Sequence, residues 1–474
     1  MNLKPYREAL ALPGLRSLLL VSVLARIPLT ATGVTLTFHV LLDLDRGYAA
    51  AGLVGAASTV GAAFGSPLLG RLVDRRGLRP VLVLTTIAEG VFWGVAPALS
   101  YLVLLPAAFL AGLVALPVFS VVRQSVAALV PAERRRPAYA LDSMSVELSF
   151  MVGPALAVAL VTAISPRVTM WAVGAGIVSS GICFWLLNPP TRGTDEPAGP
   201  YRKVPRREWL TPRLLAVLAV SLAATLVLGG TDVAVVAMLR AGGEVGWTGA
   251  VLTVWAVASL VGGFAYGAVS RTFSPLLLMA ALSLATIPVG LGGAHWWLLC
   301  LALLPAGALC APTIASTSDA VSRLAPAGVR GEAMGLHGSA VTVGIAVGAP
   351  LAGAVIDART PLWGFAVTGA IGLLVALVVL LVELRERRAA ADGPVAADGP
   401  VAADGPVAAD GPVAADGPVA ADRPGAVDGP GAVDGPGAVD GPGAVDGPGA
   451  VDGREEAPVP AGPAAGPVVT ASTR

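Results

Sequence analysis

Long apolar runs separated by short polar links dominate the first 385 residues of this 474-residue chain. A helix needs about 20 apolar residues to cross the hydrocarbon core of a bilayer. By that criterion the pattern predicts an all-α integral membrane protein with twelve transmembrane helices. They are numbered in chain order as spans 1 to 12: 17–42, 48–70, 80–98, 101–128, 138–164, 168–188, 213–239, 247–270, 275–293, 296–320, 332–356 and 362–383.

Arginine and lysine are distributed unevenly between alternate links. The N-terminal segment, the even-to-odd links and the segment after span 12 carry 23 basic residues, whereas the other links carry four. Basic residues accumulate on the cytoplasmic side of membrane proteins. We therefore expect a multi-pass protein of the cell membrane, inner or plasma, with both termini in the cytoplasm.

The longest internal link, 189–212, is rich in proline and arginine and divides the chain into two sets of six spans. The N-terminal half is 1–188 and the C-terminal half is 213–384. At a constant offset of 195, residues 126–159 align without a gap on 321–354, and 13 of the 34 pairs are identical. Because each half has an even number of helices, the two repeats are parallel in topology.

The tail, 385–474, has a different composition. From Asp392 to Asp452 an aspartate recurs every six residues, among Gly, Pro, Ala and Val and without any aromatic residue. Such a sequence lacks the apolar bulk for a core. We expect a disordered acidic tail; the alternative is an array that binds calcium or a protein partner.

The composition also indicates a membrane protein, since 55% of residues are hydrophobic and the mean hydropathy is +0.76. The three cysteines lie in apolar runs, which argues against disulfides and against a metal site. No phosphate-binding loop, zinc motif or nucleophile elbow is present. We therefore expect no enzyme activity, cofactor or nucleic-acid partner, and a monomer in the bilayer.

A charged segment links spans 2 and 3 and reads Gly-Arg-Leu-Val-Asp-Arg-Arg-Gly-Leu-Arg over 70–79. It resembles the signature loop of the major facilitator superfamily of transporters, Gly-x-Leu-x-Asp-Arg-x-Gly-Arg-Arg/Lys, with Leu78 where the family usually has a base. The resemblance implies two six-helix halves that alternate between inward- and outward-open states. Its matching residues form a candidate gating loop: Gly70, Asp74, Arg75, Gly77 and Arg79.

The resemblance also implies that Asp74 contacts the second half of the molecule. An acid beside a helix N-terminus is stabilised by the helix dipole, so Asp74 is expected to bind the start of span 11 near Glu332–Gly335. A contact made in only one state biases the equilibrium between states. The alternative is that the arginines of this segment serve only to fix the topology, although topology does not explain the Gly-Asp-Gly spacing.

The region of spans 4 and 5 is similar to exporters of the same superfamily, and its residues are Arg123 and the pair Gly153-Pro154. That pair resembles the centre of a span-5 motif of drug/proton antiporters. Ser149 and Ala157 stand where the full motif has glycines. Gly-Pro pairs also serve close helix packing and bending, which is the alternative interpretation.

Ionisable residues inside spans are functional candidates because burying them is costly. Counted at about 1.5 Å per residue, Arg26, Glu89 and Glu147 fall near mid-depth. In the family, spans 1 and 5 border the central cavity and span 3 is peripheral. Arg26 and Glu147 are therefore predicted to pair, with Glu147 carrying a proton or exchanging Arg26 for substrate. A static ion pair is the alternative.

Asp142 and His337 occupy equivalent positions in the two repeats, about one turn inside the cytoplasmic ends of spans 5 and 11. A proton-linked gate is one interpretation, because histidine titrates near neutral pH. The favoured interpretation is that both residues are simple polar anchors close to water. Asp232, toward the outer end of span 7, is a further candidate for proton or substrate binding.

These patterns predict a secondary active transporter, in particular a proton-coupled exporter of small amphipathic or lipophilic solutes. A metabolite uniporter or a proton symporter is the alternative within the class. A membrane scaffold or sensor that presents the acidic tail to a cytoplasmic partner is the alternative from another class. Deleting residues 389–474 distinguishes these classes, since an exporter should remain active.

Overall fold

Residues 3–193, 204–269, 273–293 and 295–391 are described by the structure, a computed structural model. Every regular element in these residues is helical. The predicted disordered repeat over 392–474 lies outside the described residues. The same holds for 194–203, the middle of the predicted linker.

Twelve helical segments of membrane-spanning length and hydropathy confirm the predicted spans. We label them α1 to α12: Leu15–Asp43, Ala49–Arg76, Leu78–Ala98, Tyr101–Leu129, Ala132–Ala163, Pro166–Leu187, Pro212–Ala241, Val245–Ala268, Pro275–Gly292, Trp296–Leu324, Ala327–Ala358 and Pro361–Arg385.

Local sequence explains where several spans begin. Ser165, Thr211 and Ser274 each precede a proline, and each side-chain oxygen accepts a hydrogen bond from a backbone N–H in the first turn of α6, α7 or α9. The hydroxyl satisfies an N–H that has no helical partner. Proline fits the next position because it has no N–H to lose there.

Large apolar side chains cover the outside of the bundle, among them Leu20, Leu24, Leu102, Ile182 and Leu291. Exposed apolar surface on this scale would be unfavourable in water. A hydrocarbon solvent removes that penalty, so these side chains form the lipid-facing surface of a membrane protein.

The internal repeat is confirmed by the boundaries of α5 and α11. A 3₁₀ turn over Ala132–Arg134 precedes the helix Arg135–Ala163, and a turn over Ala327–Val329 precedes the helix Arg330–Ala358. Each boundary differs by 195 residues, the offset found in the sequence. The two helices are therefore equivalent elements of two parallel six-helix repeats.

Glycines at equivalent positions let these helices approach their neighbours. A Cβ on Gly153 would collide with Thr30 Oγ1 of α1, and a Cβ on Gly348 would collide with Leu226 O of α7. Thr30 Oγ1 also donates a hydrogen bond to Ser149 O, 2.8 Å away. The contacts of Gly153 thus match the packing interpretation of the Gly-Pro pair, and a role of Pro154 in antiport stays a prediction.

Replacing Gly153 by valine is expected to lower the free energy of unfolding by about 1 to 3 kcal/mol, the usual cost of overpacking. The added side chain would have to displace the backbone of α1. Chemical denaturation of the purified protein in detergent measures the change. Gly33→Val is the matched control, because Gly33 lies in α1 with open space around it; equal losses in both variants would contradict the packing argument.

The candidate gating loop is mostly helix, which corrects the prediction of a ten-residue link. The helix of α2 continues through Arg76, and α3 begins at Leu78. Gly77 alone separates them, at φ +82°, a conformation that glycine adopts without strain. Arg75 and Arg76 favour this extension, since basic residues in the last turn complement the helix dipole.

The span α4 consists of two helices, Tyr101–Leu113 and Val118–Leu129. Pro117 lies at the break, and its backbone nitrogen has no hydrogen to donate to a helical hydrogen bond. Within this break, the N–H of Leu116 bonds to a side chain and not to a helix carbonyl. This break lies beside the cavity described below.

The predicted linker is tied to the C-terminal repeat at its end. A short helix, Arg206–Trp209, precedes α7, and the Trp209 ring is buried among Leu214, Val329 and Met334. Arg206 also pairs with Glu332 at 2.6 Å. The division of the chain into halves at 189–212 stays a prediction.

Candidate functional site

A cavity of about 760 Å³ lies between the two repeats. Every span except α9 and α12 contributes to its lining. Much of the wall is apolar, and five aromatic rings line it: Phe92, Trp93, Phe119, Phe150 and Trp255. A cavity of this size accommodates a drug-sized molecule.

Four charged side chains line the cavity: Glu89, Arg123, Glu147 and Asp232. Three are acids, and no carboxylate of these three has a described basic partner within ion-pair distance. Asp232 of α7 lies near enough to Glu147 of α5 for the two charges to repel each other. The wall of the cavity therefore has more acidic than basic side chains.

Glu147 makes a contact between the two repeats. Ser259 Oγ of α8 donates to Glu147 Oε1 at 3.0 Å and accepts the backbone N–H of Ala311 of α10 at 3.2 Å. The serine hydrogen is thus committed to the carboxyl group. A change in the charge of Glu147 acts directly on a bond between α5 and α8.

Glu89 belongs to the cavity wall, although span 3 is peripheral in the pattern that the resemblance implies. Its side chain is buried, and Trp93 Nε1 donates to Glu89 Oε2 at 2.9 Å. The N–H of Leu116, in the break of α4, also donates to this carboxyl group. The interruption of α4 therefore supplies a donor that a continuous helix would not.

Arg26 pairs with Asp142, which corrects the predicted pair with Glu147. Arg26 Nη2 lies 2.6 Å from Asp142 Oδ1, and Arg26 Nη1 lies 2.6 Å from Ser145 Oγ. Glu147 is five residues farther along α5, about 7.5 Å at the helical rise. The sequence estimate therefore assigned Arg26 the wrong acid.

Asp142 and His337 are fully buried, with exposed fractions of 1% and 0%, so the favoured prediction of anchors close to water is wrong in this conformation. Arg123 of α4 lies between them. Its Nε is 3.5 Å from Asp142 Oδ2, and its Nη1 is 3.2 Å from His337 Nδ1. Arg26, Arg123, Asp142 and His337 form what we call the buried network.

The buried network lies toward the end of the bundle that carries Gly77, Pro131 and Pro326, which we call the basic end. Asp74 binds the other repeat at the same end. The backbone N–H groups of Gly331 and Glu332 donate to its two carboxylate oxygens at 2.9 and 2.8 Å, and Gln124 Nε2 donates at 3.1 Å. The contact thus lies at the first turn of α11, where the sequence placed it.

Close backbone packing accompanies the Asp74 contact. A Cβ on Gly70 would collide with Gly331 O, and one on Gly335 would collide with Ser66 O. The helices α2 and α11 therefore cross with only glycine at these points. Gly70 is needed for this approach, and Gly77 for the turn that follows α2.

The basic residues of the signature segment have different surroundings. Arg71 Nε is 3.8 Å from Glu332 Oε2, and Arg79 lies over the Trp185 ring at 5.1 Å. Arg75 is exposed in the last turn of α2. A gating role for these residues stays a prediction.

Tyr6 adds a contact that sequence reasoning missed. It lies in the short helix Lys4–Leu10, and its ring stacks on Phe264 of α8 with centroids 4.8 Å apart. Burial raises the pKa of the Tyr6 phenol to about 12. The hydroxyl therefore keeps its proton at neutral pH and donates to the Phe264 carbonyl oxygen.

Three other polar partners carried no strong signal in the sequence. Gln124 binds Asp74, Ser259 binds Glu147, and Thr317 binds His337. A lone serine, threonine or glutamine in an apolar span is common, so its partner becomes evident only when the helices are placed together.

The conformation is closed at the basic end. Asp74, Arg123 and His337, which join the repeats there, are buried. Farther from that end, the cavity-lining side chains of Phe150 and Ile345 are 49% and 41% exposed. The cavity therefore opens toward the opposite end of the bundle.

Comparison with known proteins agrees with this architecture. Two overlapping matches to the model of the Major Facilitator Superfamily cover residues 18–293 and 241–418. The chain belongs to the major facilitator superfamily of membrane transporters. No curated protein sequence matches it.

Solved structures share the fold at low identity. The human organic anion transporter MFSD10 (TETRAN) matches with a TM-score of 0.63 and 18% identity over 77% of this chain and 100% of that chain. A bacterial homologue of the iron transporter ferroportin, in an outward-facing state, matches with a TM-score of 0.62 and 18% identity over 79% of this chain and 100% of that chain. The proton:xylose symporter XylE bound to 6-bromo-6-deoxy-D-glucose matches with a TM-score of 0.57 and 13% identity. This match covers 77% of this chain and 95% of that chain.

Proposed function

We propose that this chain is a proton-coupled exporter of small lipophilic or amphipathic cations. The observation that carries the proposal is the composition of the cavity wall, with three carboxyl groups, five aromatic rings and one arginine. Carboxylates attract a cation directly, and aromatic faces attract it through their quadrupoles. A sugar or phosphate would need a denser set of polar or basic ligands.

Proton coupling follows from the same carboxyl groups. A protonated carboxyl group loses the charge that attracts a cation, so proton binding and cation release compete at one site. Glu147 is the best candidate because it lines the cavity and also receives the Ser259 bond from the other repeat. Asp232 of α7 adds a second acid to the cavity wall near Glu147.

The direction of transport rests on orientation. With the basic end in the cytoplasm, as the distribution of arginine and lysine indicates, the cavity opens to the exterior. Protons arriving from outside would then replace a cation brought from the cytoplasm. With this orientation, we expect both termini in the cytoplasm and the protein in the plasma or inner membrane of the cell.

Ethidium movement in proteoliposomes with an imposed pH gradient tests this function. An antiporter moves ethidium toward the acidic compartment, against the flow of protons. We expect Glu147→Gln to reduce this movement by about 100-fold or more, the range found for groups that transfer protons. Glu133→Gln is the matched control, because Glu133 is exposed in the 3₁₀ turn at the start of α5 and lies outside the cavity.

Other outcomes separate the alternatives. Gradient-driven movement unchanged in Glu147→Gln would contradict the role of Glu147. Accumulation of substrate in the alkaline compartment would indicate a symporter. No movement of ethidium or other lipophilic cations would overturn the substrate class and favour a metabolite carrier or a scaffold.

A further inference from the structure

The contact between Arg123 and His337 joins the two repeats beneath the cavity. Arg123 lies on α4 and His337 on α11, with 3.2 Å between Arg123 Nη1 and His337 Nδ1. Arg123 also lines the cavity, whereas His337 lies below it and is fully buried. Opening of the basic end must break this contact, since the repeats separate there.

Hydrogen-bond chemistry defines the form of His337 in this conformation. A guanidinium group can only donate, so His337 Nδ1 is the acceptor and carries no hydrogen. Thr317 Oγ1, 3.0 Å from His337 Nε2, donates its own hydrogen to Ile314 O at 2.9 Å. Thr317 therefore accepts from Nε2, and the ring is the neutral Nε2–H tautomer.

The charges that face His337 come from three helices. Arg123 of α4 contacts it directly, Asp142 of α5 lies behind Arg123, and Arg26 of α1 binds the other side of Asp142. The helix α10 presents Thr317, and α2 packs near this turn of α11 with Ser66. Without a charge on His337, two arginines already face one aspartate in this buried network.

A proton on His337 is incompatible with the contact. It would place an N–H on Nδ1 opposite the Arg123 donors and add a third positive charge beside a single acid. Arg123 has another position available, because Asp142 Oδ2 has no hydrogen-bond partner and lies only 3.5 Å from Arg123 Nε. Movement of Arg123 fully onto Asp142 satisfies the acid and frees α11 from α4.

We propose that His337 is the protonated residue that opens the basic end, with Arg123 exchanged from His337 to Asp142 as the switching step. The inference rests on the proposed proton coupling and assigns its conformational step to a residue outside the cavity wall. Glu147 and Asp232 then bind the cation and receive the entering proton. Protonation of His337 breaks its contact with Arg123 and so opens the closed end. The incoming proton forms an N–H bond on His337 Nδ1, and every other change is in hydrogen bonds and ion pairs.

Distances between spin labels test the proposal without any transport assay. The full chain, with its three cysteines replaced by serine or alanine, is labelled at Arg76→Cys and Leu324→Cys on the basic end. A second pair, Ala49→Cys and Ala358→Cys, reports the opposite end. Double electron–electron resonance in lipid nanodiscs at about pH 8 and about pH 5 covers the range in which histidine titrates.

We expect the population with a long basic-end distance to rise at least about fivefold on acidification, the lower range of ordinary site-to-site coupling. His337→Gln, which keeps a neutral acceptor for Arg123, should hold the short distance at both pH values. His337→Arg, which carries a permanent charge, should give the long distance at both. Either variant suffices if the other fails to fold.

His295→Gln and His39→Gln are the matched controls, because these are the other two histidines of the chain. His295 is exposed, and His39 pairs with Asp43 within α1. A pH response that survives in His337→Gln, or that disappears in His39→Gln instead, would overturn the proposal. A response that follows His337 while ethidium fails to move would refute only the proposed substrate or coupling.

Discussion

Replacing Asp142 by asparagine is expected to lower the free energy of unfolding by about 3 to 5 kcal/mol, the cost of leaving a buried charge without its partner. Asp142 is the only acid of the buried network, and its loss leaves Arg26 and Arg123 facing each other without compensation. Arg26 has no alternative acid among its described partners and lies 5.0 Å from the face of Phe119.

Chemical denaturation of the purified variant in detergent measures this effect. Asp357→Asn is the control, because Asp357 is exposed near the end of α11. The double variant Asp142→Asn with Arg26→Met should recover part of the loss, since it removes one of the two uncompensated cations. Equal stability of Asp142→Asn and the wild type would mean that the network does not stabilise the fold.

Replacing Asp74 by asparagine is expected to raise the population that is open at the basic end by about 10- to 100-fold. Hydrogen bonds to a charged group contribute about 1.5 to 3 kcal/mol, and the carboxylate accepts from both Gly331 and Glu332 at the N-terminus of α11. An asparagine has one acceptor oxygen and no charge to interact with the helix dipole.

The label pair at Arg76 and Leu324 measures this population at constant pH, and the pair at Ala49 and Ala358 should change in the opposite sense. Asp357→Asn again serves as the control. If the distribution of basic-end distances is the same in Asp74→Asn as in the wild type, the contact does not bias the two states. The arginines of the segment would then serve topology alone.

The two substitutions act on different equilibria, because their partners lie in different repeats. The buried network and the Asp74 contact lie at the basic end, and both join the repeats there. Asp142→Asn acts on folding because its partners Arg26 and Arg123 belong to the same repeat. Asp74→Asn acts on the balance of states because its partners belong to the other repeat.

The signature segment shows which structural features a local sequence pattern can predict. Its charges indicated a link outside the hydrocarbon core, and the contact of Asp74 with the start of α11 was predicted correctly. Its helical conformation through Arg76 was missed, because the same arginines that stay near water also favour the C-terminal end of a helix. The end of the helix is set by Gly77 and its positive φ.

The pairing of Arg26 shows where depth counting fails. A rise of about 1.5 Å per residue gives the depth of a side chain, but it leaves the tilt and rotation of each helix undetermined. Asp142 and Glu147 both lie on α5 within about 7.5 Å of each other, and only the packing of α1 against α5 selects Asp142. The burial of His337 likewise depends on closure of the two repeats.

The sequence by itself determined the twelve spans, the parallel repeat at an offset of 195 and the membership of a transporter superfamily. Apolar length and repeated local motifs fix these features before any helix contacts another. The tertiary structure alone decided which acid binds Arg26, that Glu89 lines the cavity and that Arg123 joins Asp142 to His337. Those contacts depend on helix rotation and on closure of the basic end, and no pattern along a single helix contains that information.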